Sequence, residues 1–338
     1  MKKMAVFIKN LIFMRIGVIL SGCMVLLCGC GVSREPVSRI GFYFDTVIQV
    51  TIYDSGKEDC LDGCMELADK YEKMLSATVE GSDIWNINHS DGEAVVVSDE
   101  TLELLETALY HCELTEGRID FTVESVSKLW DFHGGSSEGI AASCVPDLAS
   151  IKEALEYVDY HNLVIEGNTV TLKDPEACIS LGFIAKGFIA DRIKDYLLSQ
   201  DVKSAIINLG GNLLAVGSKP DGTPFNFGIQ RPFDEQGTII DSLAVSDASL
   251  VSSGVYERYF YQDDTLYHHI LDTATGYPVE NNLLGVTILS DSSMTGDALS
   301  TSCFVLGLKE GMELIEKLEG VEAIFITNDY ELHYSSGL

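Results

Sequence analysis

Hydrophobic patterns of period two and period 3.6 follow one another along this chain without the strict strand–helix–strand alternation that a doubly wound parallel sheet requires. "FDTVIQVTIYD" alternates as a strand should. Residues 57–76 then repeat apolar side chains at helical spacing, with Leu61, Cys64, Met65, Ala68 and Leu75 on one face, and a second helix near 100–115 turns Leu104, Leu105, Ala108 and Cys112 inward. "NLVIEGNTVTL" predicts a hairpin turning at Glu166-Gly167-Asn168. "CISLGFIAKGFIADRIKDYLLSQ" carries a helical stripe of Ile189, Ile193, Tyr196 and Leu197, and the strand "SAIINLGG" follows at once. In the last third, strands are expected at 225–231, 256–262, 266–271 and 284–290, with a helix over about 295–307 and a closing hairpin, "EAIFITNDYELHY". The expected class is α+β, with mixed sheets and packed helices.

The amino end lies outside that pattern. Lys2, Lys3, Lys9 and Arg15 precede "IGVILSGCMVLLCGCG", a positive segment followed by an apolar run that ends in small residues and cysteine. It reads as a secretory signal, too short and wrongly flanked for a stable membrane span. Leu20-Ser21-Gly22-Cys23 and Leu27-Cys28-Gly29-Cys30 both read as lipoprotein boxes. Cys30, after the longer apolar run, is the expected lipidated residue and Cys23 the alternative; a plain cleaved signal with incidental cysteines is the other reading. The organisation expected is a signal over 1–29, a polar tether over 30–39 and one catalytic unit over 40–338. The protein would then sit lipid-anchored in the cell membrane on its extracytoplasmic face.

Charge narrows the partners. The 338 residues include 22 basic and 52 acidic ones, a formal net charge of −30. Loss of the leader would remove four basic residues and no acidic one. Such a surface repels DNA, RNA and anionic headgroups, so no nucleic-acid partner is expected. A phosphate-bearing ligand would need a local cation or a helix N-terminus. Six cysteines lie beyond the leader, Cys60, Cys64, Cys112, Cys144, Cys178 and Cys303, and none has the spacing of a zinc site. Cys60 and Cys64, four apart on a helical pattern, are read as packing residues.

Four stretches could carry chemistry. In "SMTGDALSTSCF", Asp297 and Thr301 leave one helix face about 5–6 Å apart. Taken alone, Asp297 caps the helix and Thr301 packs; the sharper reading is an oxygen site for a hard cation such as magnesium. "LGFIAKGF" sets a glycine before, and Lys186 within, the first turn of a helix, which suits a phosphate, although a solvated surface charge is the commoner outcome. It has neither a P-loop nor a dinucleotide fingerprint. "SSGVYERYF" and "YHHILDTATGYPV" are dense in hydroxyl, imidazole and carboxylate groups. Adjacent strand residues point to opposite faces, so one of His268 and His269 should face a site and the other pack or meet solvent.

Together these segments resemble the ApbE family of FAD:protein FMN transferases, whose landmarks occur here in family order: "SDIWNIN", "IDFTVESVSKLW", "LGFIAKGFIADR", "INLGGNLLAVGSKPDG", "SSGVYERYF", "YHHILDTATGYPV" and "GDALST". The resemblance implies a single ApbE-type, T-fold-like unit that binds magnesium, takes FAD as substrate, and moves FMN to a threonine of an acceptor protein with release of AMP. Exported or membrane FMN-binding redox proteins would be the acceptors. It further implies Asp297, Thr301 and a backbone carbonyl at Ala185 as metal ligands, with Lys186 beside the pyrophosphate. His269, with His268 as second choice, matches the family histidine near the flavin phosphate. Asp83, Asn88, Asp120, Thr122 and Ser253 match segments lining the FAD cleft, and Gly210 and Gly211 would let the backbone pass close to the nucleotide. Two departures stand out: Phe183 replaces a small residue, and "IDFTVESV" replaces "FDPTVGPL". The same residues also allow an FAD-binding lipoprotein without chemistry, or a pyrophosphatase that yields FMN and AMP.

Overall fold

The computed structural model describes residues 35–130, 132 and 145–338. The expected leader with Cys23 and Cys30, the segment "HGGSSEG" (133–139), whose glycines and serines predict a loop, and Cys144 lie outside the described residues. Pro36–Leu338 forms one unit built on an eight-stranded sheet. Its strands are β1 (Val37–Tyr43), β2 (Thr46–Ile52), β6 (Ser204–Leu209), β7 (Asn212–Gly217), β10 (Ser249–Gly254), β13 (Leu283–Ser290), β14 (Val321–Thr327) and β15 (Leu332–Tyr334), in that spatial order. Every neighbouring pair is antiparallel. β1 starts at Val37, inside the segment expected as tether, because Val37 and Tyr43 pack against the core while the register runs from Val37↔Ile52 to Tyr43↔Thr46.

Smaller pieces attach to this sheet. β3 (Val95–Val96), β4 (Leu163–Glu166) and β5 (Thr169–Leu172) make a three-stranded sheet, and β8 (Phe225–Gln230) pairs with β9 (Ile239–Val245). β11 (Tyr259–Gln262) pairs with β12 (Thr265–His268). The helices are α1 (Cys60–Leu75), α2 (Asp83–Asn88), α3 (Asp99–Leu114), α4 (Glu124–Ser127), α5 (Leu148–Leu155), α6 (Ala185–Ser199) and α7 (Ser293–Ile315). Helix starts follow capping chemistry: Ser82, Ser98 and Asp147 each accept from a backbone N–H of the first turn. α7 is broken at Gly307, whose φ of 77° and ψ of 174° no helix contains, so its second half continues in a new direction past the expected end at 307.

The central strands are buried on both faces, and this explains their continuous apolar runs. On β7, Leu214 and Val216 join the core under the helices while Ala215 joins the core under the β8–β9 hairpin. On β14, Ala323 and Phe325 face α7, and Ile324 and Ile326 face the hairpin. α1, α6 and α7 therefore cover one side and β8–β9 the other. The hairpin stops short of β1 and β2, where Ile40, Phe42 and Val47 stay exposed.

Candidate functional site

α6 and α7 are joined by two carboxylates that cap in opposite directions. The Gly187 N–H, in the first turn of α6, donates to Asp297 Oδ2 at 2.8 Å. Four residues on, Asp191 accepts from the N–H groups of Ser293 (2.8 Å) and Met294 (3.0 Å) and from the Ser292 hydroxyl (2.8 Å) at the start of α7. Four steps forward on one helix match four steps back on the other, so the two cross antiparallel. Free N–H groups at a helix start attract carboxylates, and each helix here receives one from its partner. Only glycine allows the approach at position 187, where a Cβ would lie 2.3 Å from Ser293 O and 2.6 Å from Met294 Cα.

This crossing creates the site. Asp297 is 2 % exposed, and Lys186 Nζ stands 3.4 Å from its Oδ1 while donating to Gly182 O at 3.2 Å. Burial pushes the Asp297 carboxyl above the usual carboxylate range, against the opposing pull of Lys186 and the Gly187 N–H. A buried carboxylate so placed is short of positive charge. One helical turn on, Thr301 Oγ1 lies 3.0 Å from Ser253 Oγ, which is 2.7 Å from Ser300 Oγ, and Ser300 donates to the Asp297 carbonyl at 2.9 Å. Ala185, buried, is the first residue of α6. Among the described residues no three His, Cys, Asp or Glu side chains gather as a metal cluster. A cation here would be held by Asp297 Oδ1 with hydroxyl and carbonyl oxygens, a donor set that fits a hard divalent ion.

The two histidines divide as adjacent residues should, although β12 ends at His268 and His269 lies just beyond it. His268, 5 % exposed, has both ring nitrogens engaged: Nε2–H donates to Val279 O at 3.2 Å, and Nδ1 accepts from the Ile270 N–H at 3.3 Å. Its ring meets Phe304 edge-on, and burial lowers its pKa to about 4. His269 is partly buried, and its Nδ1 lies 3.3 Å from Arg258 O. A carbonyl can only accept, so the proton sits on Nδ1 and the Nε2 lone pair is left as an acceptor. Burial first, then Arg258, lowers the His269 pKa to about 3, with Lys186 contributing to the same electropositive surroundings.

The other predicted residues are bonded within neighbouring segments, and of the carboxylates and amides among them only Asn88 reaches the stretch that leads into α6. The Asn88 side chain donates to Ile179 O (2.9 Å) and accepts from Ile179 N–H (2.8 Å), and Ser180 N–H donates to Phe121 O (3.0 Å). These bonds fix the segment that enters α6. Asp120 Oδ1 caps its own turn through the Thr122 N–H (2.8 Å) and hydroxyl (2.5 Å), and Oδ2 accepts from Tyr160 N–H. Asp83 Oδ2 accepts from the Ser98 N–H and hydroxyl and the Thr101 hydroxyl, tying α2 to the start of α3. The β6–β7 turn holds Gly210 and Gly211 at φ 59° and 94°, with Gly210 packed on Thr46. The next residue, Asn212, accepts from the Ser293 hydroxyl at 2.6 Å, which brings the turn to the start of α7.

Neither Asp191 nor Glu257 stands out in the sequence as a site residue. Asp191 lies four residues after Gly187 on the same helix face, the one signal that could have marked it. Glu257 falls in the turn after β10, where a strand was expected. It keeps an exposed surface as a residue, yet burial around its carboxyl pushes it up to about 7, with Lys186 opposing and Asp297 adding to the rise. Asp297 and Glu257 thus both lie within electrostatic reach of Lys186.

The ApbE family model matches residues 44–325. A relative from Klebsiella pneumoniae, an FAD:protein FMN transferase, is 36 % identical over 80 % of this chain and 83 % of its own. Another of the same name from Treponema pallidum is 32 % identical over 98 % and 95 %. The crystal structure of the ApbE protein from Thermotoga maritima superposes with a TM-score of 0.80 at 29 % identity, covering 90 % of this chain and 98 % of that one.

Proposed function

This chain belongs to the ApbE family, and from that premise we propose that it is an FAD:protein FMN transferase that uses magnesium, takes a threonine hydroxyl as acceptor and works lipid-anchored through Cys30 on the outer face of the cell membrane. One observation carries the reading: a buried carboxylate, Asp297, stands 3.4 Å from Lys186 and accepts from the Gly187 N–H in the first turn of α6. A pyrophosphate needs positive charge in so acidic a protein, and Lys186 supplies it beside the buried carboxylate.

In the reaction, the acceptor oxygen bonds to the flavin-side phosphorus of FAD, the bond from that phosphorus to the bridging oxygen breaks, and AMP leaves as the hydroxyl proton is released. Asp297 Oδ1, Thr301 and a carbonyl near Ala185 would hold magnesium, which supplies charge against the phosphate oxygens. Lys186 pairs with the pyrophosphate. The free Nε2 of neutral His269 accepts a hydrogen bond from the incoming hydroxyl and orients it. Ser253 and Ser300 hold Thr301 in place. Asn88 and the Asp120–Thr122 turn keep the lead into α6 fixed, so that Lys186 does not wander. Exported or membrane flavin-dependent redox proteins are the proposed acceptors.

The test is an incubation of the protein with FAD, magnesium and such an acceptor, followed by denaturing electrophoresis. In-gel flavin fluorescence on the acceptor supports transfer. Free FMN with a dark acceptor replaces it with hydrolysis, and intact FAD replaces it with simple binding. D297A should reduce labelling by at least about 100-fold, the scale on which lost electrostatic stabilisation acts.

A further inference from the structure

The uncovered end of the main sheet has an unusual surface. On β1, Ser38, Ile40 and Phe42 point away from the helices, and on β2 so do Val47, Gln49 and Thr51; the register sets Phe42 beside Val47 and Ile40 beside Gln49. Ile40, Phe42 and Val47 are 63, 67 and 54 % exposed. β1 is also an edge strand, the position where long apolar surfaces are normally blunted by charge. Here the six outward residues carry none, in a chain with 52 acidic and 22 basic residues. Arg39, the one charge on β1, points to the other side and pairs with Asp62.

We propose that this face of the β1–β2 hairpin rests on the surface of a phospholipid bilayer. The chain outside the described residues points to that occupant: its apolar leader ends at the expected lipid attachment, Cys30, and only six residues lie between Cys30 and Val37, a reach of at most about 25 Å. Three apolar side chains bind an interface weakly by themselves. A tether that short makes the second contact intramolecular, so weak affinity suffices. An uncharged strip also lets a strongly acidic body approach headgroups with the least repulsion. The inference rests on the lipid-anchored reading of the leader.

The experiment uses the full chain, processed by cells, in vesicles of phosphatidylcholine with brominated acyl chains. F42W places a reporter in the strip, and Y261W places one on the β11–β12 hairpin, where Tyr261 is 61 % exposed; subtracting parent emission removes Trp85 and Trp130. The added F42W emission should fall at least about twofold on brominated lipid, with the Y261W emission unchanged. Intact mass separates the two failures. An acylated chain with F42W unquenched, or with both reporters quenched alike, overturns the docking alone. An unacylated chain overturns the anchored reading and the docking with it. Shielding of F42W by added acceptor protein, but not by lipid, assigns the strip to a polypeptide and overturns the proposal.

Discussion

A neutral imidazole and an uncharged carboxyl define the pH behaviour of single residues here. His269, with its pKa lowered from 6.5 to about 3, is neutral at every pH between about 5 and 8. The kcat/KM profile of transfer should therefore show no His269 inflection near 6.5; an inflection there that disappears in H269N would remove its assignment as a neutral acceptor. Glu124 behaves in the opposite sense. It stands where the family pattern has glycine, and burial raises its carboxyl from 4.5 to about 7. Below pH 4.5 the group is protonated folded or unfolded and costs nothing. As pH rises toward 7 the unfolded chain loses the proton first, so stability declines through that window by about 1.4 kcal/mol per pH unit. Denaturant titrations of E124Q should lack that slope, so the difference between the two proteins grows from pH 4.5 to 7 and then levels. Equal slopes would show that the carboxyl is solvated.

Contacts between elements carry the site, and they are the part least visible in sequence. Replacing Gly187 with alanine puts a Cβ within 2.3 Å of the Ser293 carbonyl, a backbone atom that cannot swing aside. The helices must part, at a cost of about 1–3 kcal/mol as for other overpacked positions; the denaturation midpoint and the labelling rate should fall together in G187A. D191N keeps the shape but gives up charge at the start of α7, and should lower the midpoint by the roughly 0.5–2 kcal/mol of a helix cap. α1, α3, α6 and the β4–β5 hairpin were legible because each buries one regular face: Leu104, Leu105, Ala108 and Cys112 need no knowledge of their partners to be placed inside. β9 and β10 were not. β10, "SLVSSG", buries hydroxyls as well as apolar groups, and Ser249 and Ser253 find their partners on α7, forty or more residues away. The pairing of Asp297 with Thr301 was legible as i,i+4 spacing. The pairing of Asp297 with Gly187, 110 residues apart, has no local pattern to betray it.

At the scale of the molecule, charge sets two effects against each other. The net charge of −30 repels a dinucleotide carrying two phosphate charges, and the repulsion acts over the whole approach. The attraction of Lys186 and Arg258, with any bound cation, acts only at the end of the path, within the pocket. Salt separates them, because charges apart by more than a Debye length of about 8–10 Å are screened first and partly buried pairs much less. Raising ionic strength from about 10 to 150 mM should therefore speed FAD association while leaving dissociation nearly constant. Stopped-flow quenching of flavin fluorescence at fixed magnesium measures both rates. A K186Q variant should dissociate faster at every salt concentration yet keep the same rise in association, because the lysine acts after the ligand has crossed the general field. If association instead slows with salt, attraction already dominates at long range, and the pocket does not need a localised cation to overcome the charge of the protein around it.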